Sequence, residues 1–389
     1  SMPLLYEICR NLQSEDMIYF LGDIKQLPPI GKGNPFALLM KILPCVELGV
    51  SKRAAEGSSV NYNTTLINCL SDGAIKELSY NNSDFFSREC SDASIPMEVV
   101  KVWRDFMDGS MNGKTYLEDD IQVISGYQTD KYSFSVPNLN PPIQKLLRSN
   151  DRLLFKYADR DFYMNDRVIH LKKNDYSMQR YVETDKDVFT PVATFGMVNG
   201  EVGKLVGVVR SDMVRIYGFS ADNCKSGVGV YEYVNEDDLN DMISKRNAKE
   251  DDLRDDIRFK NSSNYFVKVE VYDSELKKDV IVLYRGSYYM DGNIMCLEGM
   301  DLGNLDLAYA LTTHKMQGSQ SRVVICPFGT NCNPNFINRN MINTMFTRSQ
   351  EVVCCVGNVK GYDSPINRGR QCVSTIKCSD VLSILAGEY

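Results

Sequence analysis

Long apolar runs are missing from this chain of 389 residues. None approaches the ~20 consecutive apolar residues that a bilayer crossing needs, and SMPLLYEICR holds no basic region followed by an apolar one. No membrane partner is expected. Paired cysteines are missing too: the twelve cysteines include no CxxC, and only Cys354 and Cys355 are adjacent, inside VVCCVG. That spacing favours reduced core thiols over disulfides or zinc, and no metal ligands are expected among them. There is no GxxxxGK[ST] phosphate loop and no DExx pair after a strand. An excess of basic charge is lacking as well, since the net charge is −7. The deficit is local, because Glu236 to Asp256 holds nine acids and four bases, a balance of −5, and the rest is near −2. Net charge therefore does not exclude a basic path for a polyanion.

What is present suits a globular protein. Apolar residues make up 43% and charged residues 24%, far from the profile of disorder, and the length predicts two or three domains of roughly 100–200 residues each. Residues 2–13 read as an amphipathic helix, MIYFL (Met17 to Leu21) as a short buried strand, and PFALLMKIL (Pro35 to Leu43) as a helix with proline at its start. A helix over Ser94 to Met107, with the single tryptophan Trp103, precedes the buried strand IQVIS (Ile121 to Ser125). PPIQKLL opens a further helix at Pro141, and NDRVIHLK (Asn165 to Lys172) reads as a strand. From about Gly200 to Gly299, short alternating runs such as YFVKVEVY and DVIVLYRG predict a small β-barrel carrying a solvated acidic insert. The α/β pattern returns with VVICPF and VVCCVG.

Three segments carry chemistry. In GDIKQLPPIGKGNPF (Gly22 to Phe36), a carboxylate at the end of a buried strand sits where open α/β sheets bind ligands, so Asp23 and Gln26 could face a phosphate or its magnesium. For a lone GD pair, a turn with a helix cap is the plainer reading. In YALTTHKMQGSQSRVVI (Tyr309 to Ile325), hydroxyls, an imidazole and a lysine before Gly318 suit phosphate contacts, Gly318 allowing close approach of a backbone amide. In NTMFTRSQEVVCCVG (Asn343 to Gly357), an arginine at a helix end could neutralise charge in phosphoryl transfer.

The first string resembles motif III of superfamily 1 helicases, especially the RecD-like branch (GDxxQLPPVGxGxPF). The second resembles motif V and the third motif VI, whose YTAxTRA pattern carries an arginine finger. By that resemblance Gly22, Asp23 and Gln26 face the nucleotide, with Gln26 sensing the terminal phosphate. Gln317, Gly318 and Ser319 border the ATP cleft, Thr312, Thr313, His314 and Lys315 touch DNA, and Arg348 is the finger. VELGVSKRAAEG (Val46 to Gly57) lies where the family has motif IV, making Arg53 a phosphate ligand or a surface charge. Gln320 stands where the family has glutamate, and Ser349 where it has alanine. NDRVIHLKKNDY and VNGEVGKLVGVV resemble the strings leading into the SH3-like barrel of RecD-type enzymes.

The resemblance implies an α/β, RecA-like (P-loop NTPase) motor: the C-terminal part of a first RecA-like domain over 1–45, a second RecA-like domain over 46–165 and 304–389, and an inserted SH3-like β-barrel with the acidic insert over 166–303. It implies ATP and Mg2+ as cofactors, single-stranded DNA as partner, and a cytoplasmic place in a bacterial or phage-infected cell. With no phosphate loop or acidic pair, the chain alone is expected to be inactive as an ATPase and to need an upstream helicase fragment carrying Walker A and B motifs. Ser1-Met2 falls where the family's DEASM string would end, so a truncated, split-gene or intein-derived origin is expected. The activity implied is 5′-to-3′ DNA helicase in replication, recombination or repair; the alternative is a non-catalytic single-stranded DNA-binding or interaction module. On the helicase reading, the turns at Gly22, Thr312 and Thr347 gather around one nucleotide and one DNA strand.

Overall fold

The structure is a computed structural model that describes residues 2–13, 15–28, 33–48, 54–69, 78–171, 180–192, 197–210, 214–216, 264–291, 294–298, 301–330, 332–333 and 336–358. Arg53 and the acidic stretch from Glu236 to Asp256 lie outside those residues. The chain divides into two compact units, one formed by residues 1–143 and 310–389, the other by 144–309.

The first unit is built on a five-stranded sheet, numbered here within the unit: β1 Phe85–Glu89, β2 Ile121–Ser125, β3 Ala310–Thr312, β4 Ser321–Phe328 and β5 Ser349–Gly357. The spatial order is β1-β5-β4-β2-β3, and every neighbouring pair is parallel. Parallel sheets must be covered on both faces, which is why β2 is buried at all five positions and why VVICPF and VVCCVG are unbroken apolar runs. Adjacent residues on β1 identify the covering helices. Phe85 packs edge-on against Phe346 of the helix Arg339–Phe346, whereas Phe86 packs edge-on against Phe106 of the helix Ile95–Met107. Because successive strand residues point to opposite faces, these two helices cover opposite sides of the sheet.

The helix Ile95–Met107 buries Ile95, Val99, Val102, Trp103 and Phe106, a stripe at helical spacing, and Pro96 sits in its first turn, where a missing N–H costs nothing. The helix containing Pro141 and Pro142 begins five residues earlier than expected, at Val136, and runs to Arg148. Leu139 N already donates to Ser135 O at 3.1 Å. Burial of Leu139 and Ile143 holds the turns in which the prolines give up backbone bonds. Asn140 on this helix accepts from Ala310 N (2.7 Å) and donates to Ala310 O (3.3 Å), pinning the edge strand β3.

The N-terminal segment packs as a small satellite core. The helix Met2–Arg10 and the helix Pro35–Ile42, capped by Asn34 accepting from Ala37 N at 3.3 Å, bury Met2, Leu5 and Leu39 together with Phe20. The expected buried strand Met17 to Leu21 is not one. Those residues form no ladder, and Met17, Tyr19 and Leu21 are 76%, 80% and 93% exposed. An extended segment becomes a strand only through a hydrogen-bonded neighbour, and none among the described residues supplies one.

The second unit is a largely antiparallel sheet with the backbone path 305–307, 167–170, 202–210, 264–273, 278–291, 294–298, 153–157, 160–163. Strands 180–185 and 188–191 branch from 278–291. Its core holds Tyr181, Phe189, Val209, Phe266, Ile281 and Leu283. Two charged side chains are held by acid pairs: Arg180 by Glu201 (2.8 Å) and Asp273 (3.0 Å), and Lys268 by Glu183 (3.0 Å) and Asp187 (2.9 Å). Asp166 is fully buried and accepts from Gln144 Nε2 (2.6 Å), Tyr163 N (2.6 Å) and the Tyr309 hydroxyl (2.7 Å), with Arg148 at 3.6 Å. Desolvation outweighs these donors and pushes its carboxyl up to about 6.

Candidate functional site

The string Gly22 to Phe36 folds back on itself. Its first and last residues touch: a Cβ on Gly22 would stand 3.0 Å from the Phe36 ring, so the glycine makes room for the aromatic that closes the string. Asp23 nucleates the turn between them, accepting from Lys25 N at 2.8 Å through Oδ1 while its carbonyl accepts from Gln26 N at 3.3 Å. Its Oδ2 accepts from Gln26 Nε2 at 3.0 Å. That bond turns the other end of the Gln26 amide away, and Oε1 accepts from Arg348 Nη2 at 3.1 Å. A carboxylate, an amide and a guanidinium are thereby joined across 322 residues of sequence.

Arg348 is 2% exposed and sits between the helix Arg339–Phe346 and β5. Its guanidinium also donates to Thr344 O (3.2 Å), Ser319 O (3.2 Å) and Thr347 Oγ1 (3.4 Å). Gln317 Nε2 donates to Leu27 O at 3.3 Å. The structure thus brings Asp23, Gln26, Gln317, Ser319 and Arg348 into one hydrogen-bonded group. A cavity of about 940 Å³ opens beside it, lined by Gly22, Asp23, Gln26, Thr65, Thr347 and Ser349 among others. Gly318 has φ +89° and nothing within 4 Å of where a Cβ would be. Its left-handed backbone favours glycine there, and the space beside it is open.

The residues expected on the DNA side lie elsewhere. Thr312 ends β3 level with Ser125, which ends β2, so both are at the carboxyl edge of the sheet. Ser319 lies two residues before β4 and Arg348 immediately before β5, at the amino edge. Through the shared register, Ile325 and Ala310 both align with Val123. Thr312 and Ser321 are therefore about six strand positions apart, roughly 20 Å along the strand direction. The turn of residues 313–318 spans that distance, so Gly22 and Thr347 share a cavity while Thr312 does not line it. Thr313 is fully buried, and both its N–H (3.0 Å) and its hydroxyl (3.2 Å) donate to Ser125 O. His314 and Lys315 are half-buried, and Lys315 N donates to Thr312 Oγ1 at 3.4 Å.

Reading the sequence missed Asn340, Asn343 and Thr344. Asn340 Nδ2 donates to Ile24 O and Gln26 O (3.1 Å each), Asn343 Nδ2 to Lys25 O (3.1 Å), and Thr344 Oγ1 accepts from Leu27 N (3.0 Å). The signal was present as a polar stripe at helical spacing ahead of Thr347-Arg348.

A family match falls on this part of the chain. Residues 307–356 match the UvrD-like helicase C-terminal domain. That segment holds β3, the spanning turn, β4, the helix Arg339–Phe346 and Arg348. An ATP-dependent RecD2 DNA helicase of Deinococcus radiodurans is 33% identical over 85 residues, 22% of this chain and 12% of the relative. Two Pif1 helicase structures are similar at low identity: one from Bacteroides in complex with ADP-AlF3 and ssDNA (14% identity, TM-score 0.34, 86% of this chain and 60% of that one), and one from Candida albicans (15%, 0.29, 74% and 54%). The resemblance is to superfamily 1 helicases of the RecD-like type. The match to the RecD2 relative spans 12% of that protein's length. Among the described residues, no helix of this helicase-like chain is long and apolar enough to cross a membrane.

Proposed function

We propose that this chain is the C-terminal portion of an ATP-dependent 5′-to-3′ DNA helicase, a single-stranded DNA translocase that hydrolyses ATP together with an upstream fragment carrying a phosphate loop and its acidic pair. The observation that supports it most is the Asp23–Gln26–Arg348 chain at the cavity, because it joins the motif III-like and motif VI-like strings through side chains whose chemistry suits a phosphate. The residues fit the cofactor. A cavity of about 940 Å³ is large enough for a nucleoside triphosphate. Gln26, backed by Arg348 and the Gln317–Ser319 turn, would face its phosphates, and Asp23 would hold a magnesium ion. When bound, ATP with Mg2+ supplies the phosphoryl transfer that drives movement; this chain contributes orientation and positive charge.

The DNA side in this reading is Thr312, His314 and Lys315 at the opposite edge of the sheet, with Thr313 positioning them through Ser125. One short turn then links phosphate to DNA, so a change at Ser319 is carried to Lys315 by a few backbone bonds. Arg53 is a second candidate phosphate ligand. The domain plan is a partial first RecA-like domain over 1–45, a second over 46–165 and 304–389, and an SH3-like barrel over 166–303. An all-parallel sheet together with an inserted antiparallel unit supports the plan in outline; the antiparallel unit itself runs over 144–309 and takes in strands 153–157, 160–163 and 305–307. Single-stranded DNA, the upstream fragment, and a cytoplasmic role in replication, recombination or repair of a bacterium or phage belong to the same proposal.

The test is reconstitution with a fragment bearing the phosphate loop and acidic pair. DNA-stimulated ATPase is expected to appear, and Arg348→Ala to lower kcat by about 10³-fold or more while single-stranded DNA binding persists. DNA binding without any gain of ATPase would favour a non-catalytic binding module. An unchanged rate in Arg348→Ala would refute the finger assignment.

A further inference from the structure

Four consecutive carbonyls, those of Ile24, Lys25, Gln26 and Leu27, are each taken by a side-chain amide: Asn340 holds the first and third, Asn343 the second, Gln317 the fourth. Thr344 completes the set by accepting from Leu27 N. Asn340, Asn343 and Thr344 stand at helical spacing on one face, and that face runs on to Arg348. Asn338 caps the helix by accepting from Met341 N at 3.1 Å, so the stripe begins in the first turn of a capped end. All these bonds address backbone. They hold the path of the loop whatever its side chains are, and leave the carboxylate of Asp23 and the amide of Gln26 to the chain of contacts that ends on Arg348.

We infer that Asn340, Asn343 and Thr344 are positioning residues, a backbone clamp that sets the distance between Gln26 and Arg348. The link from this clamp to ATP turnover rests on the helicase reading; the clamp itself does not. The contact from Gln26 Oε1 to Arg348 is 3.1 Å, and a loop shift of about 1 Å takes it beyond hydrogen-bond range. The same helix therefore carries both the arginine and the groups that present its partner. A helix with only a surface role would spend such amides on solvent, whereas these reach successive carbonyls of a segment some 315 residues away.

The test uses the whole 389-residue chain and hydrogen exchange at the Leu27 amide. Thr344→Ser, which keeps the hydroxyl, is expected to retain wild-type protection. Thr344→Val and the double variant Asn340→Ala with Asn343→Ala are expected to lose protection about tenfold or more, with the amides of Val323 to Ile325 in the sheet unchanged. Equal protection of Leu27 in all variants would overturn the clamp. If the double variant loses protection throughout the sheet, the Ser and Val pair at Thr344 decides, since the two differ by one hydroxyl. With the phosphate-loop fragment present, Thr344→Val is expected to lower kcat for ATP with little change in DNA affinity, and Thr344→Ser to restore it; a Val variant with wild-type kcat refutes positioning. Absence of ATPase in the unsubstituted pair would sink the helicase reading while leaving the exchange result to judge the clamp.

Discussion

Gln26 is the pivot of the candidate site because its amide has two different ends in use, a donor toward Asp23 and an acceptor toward Arg348. Gln26→Glu keeps the acceptor but faces the Asp23 carboxylate with a second negative charge in place of the donor, so the loop is expected to open on that side. Hydrogen exchange followed by NMR at the Lys25 and Gln26 amides should show lost protection in the Gln26→Glu variant; protection equal to wild type would mean that the Asp23 contact does not hold the turn. Asp166 offers a prediction of a different kind. Burial raises its folded carboxyl from an ordinary 3.8 to about 6. The folded state then binds more protons at this group than the unfolded state between about pH 4 and 6, so the contribution of Asp166 to stability is greatest below that window and falls as pH rises through it, by on the order of 3 kcal/mol. Urea denaturation across that range should show the decline, and Asp166→Asn should flatten it.

At the scale of elements, pairing and side-chain direction decide what local propensity leaves open. β1 carries two adjacent phenylalanines that serve opposite helices, a contact pattern that only a strand permits. The three-residue edge strand β3 is held on one side by β2 and on its flank by Asn140, which satisfies both backbone groups of Ala310. Asn140→Ala removes two hydrogen bonds at a buried strand and should cost about 1–3 kcal/mol, with faster exchange at the Ala310 amide as the local sign. Equal exchange in both proteins would mean that β2 alone holds the edge. The segment Met17 to Leu21 makes the converse point. Its apolar composition suits a strand, but composition supplies no ladder partner, and Met17, Tyr19 and Leu21 remain exposed.

At the scale of the whole sheet, Arg348 stands at the amino edge and Thr312 at the carboxyl edge, and on the proposed reading the first side would meet phosphate and the second DNA. If Lys315 meets a phosphate of single-stranded DNA, titrations in rising salt should give a linear fall of log K with log salt, and Lys315→Ala should reduce the slope by about 0.7. An unchanged slope would remove Lys315 from the DNA path. The net charge of −7 does not weigh against this, because the slope counts local phosphate contacts.

The sequence by itself determined the elements whose pattern is local: the apolar runs of β2, β4 and β5, the amphipathic stripe ending at Trp103 and Phe106, the alternating strands after Gly200, and the three polar strings around Gln26, Thr313 and Arg348. Tertiary structure alone decided which of those strings meet. Gln26 and Arg348 join because the helix ahead of Arg348 presents amides to the 24–27 backbone, and no spacing within either string contains that pairing. Thr313 was turned inward by a carbonyl of β2, and Gly318 sits at a left-handed backbone angle that its string alone does not record. Hydrogen bonds between segments hundreds of residues apart depend on register and burial, which the folded chain sets and local pattern does not record.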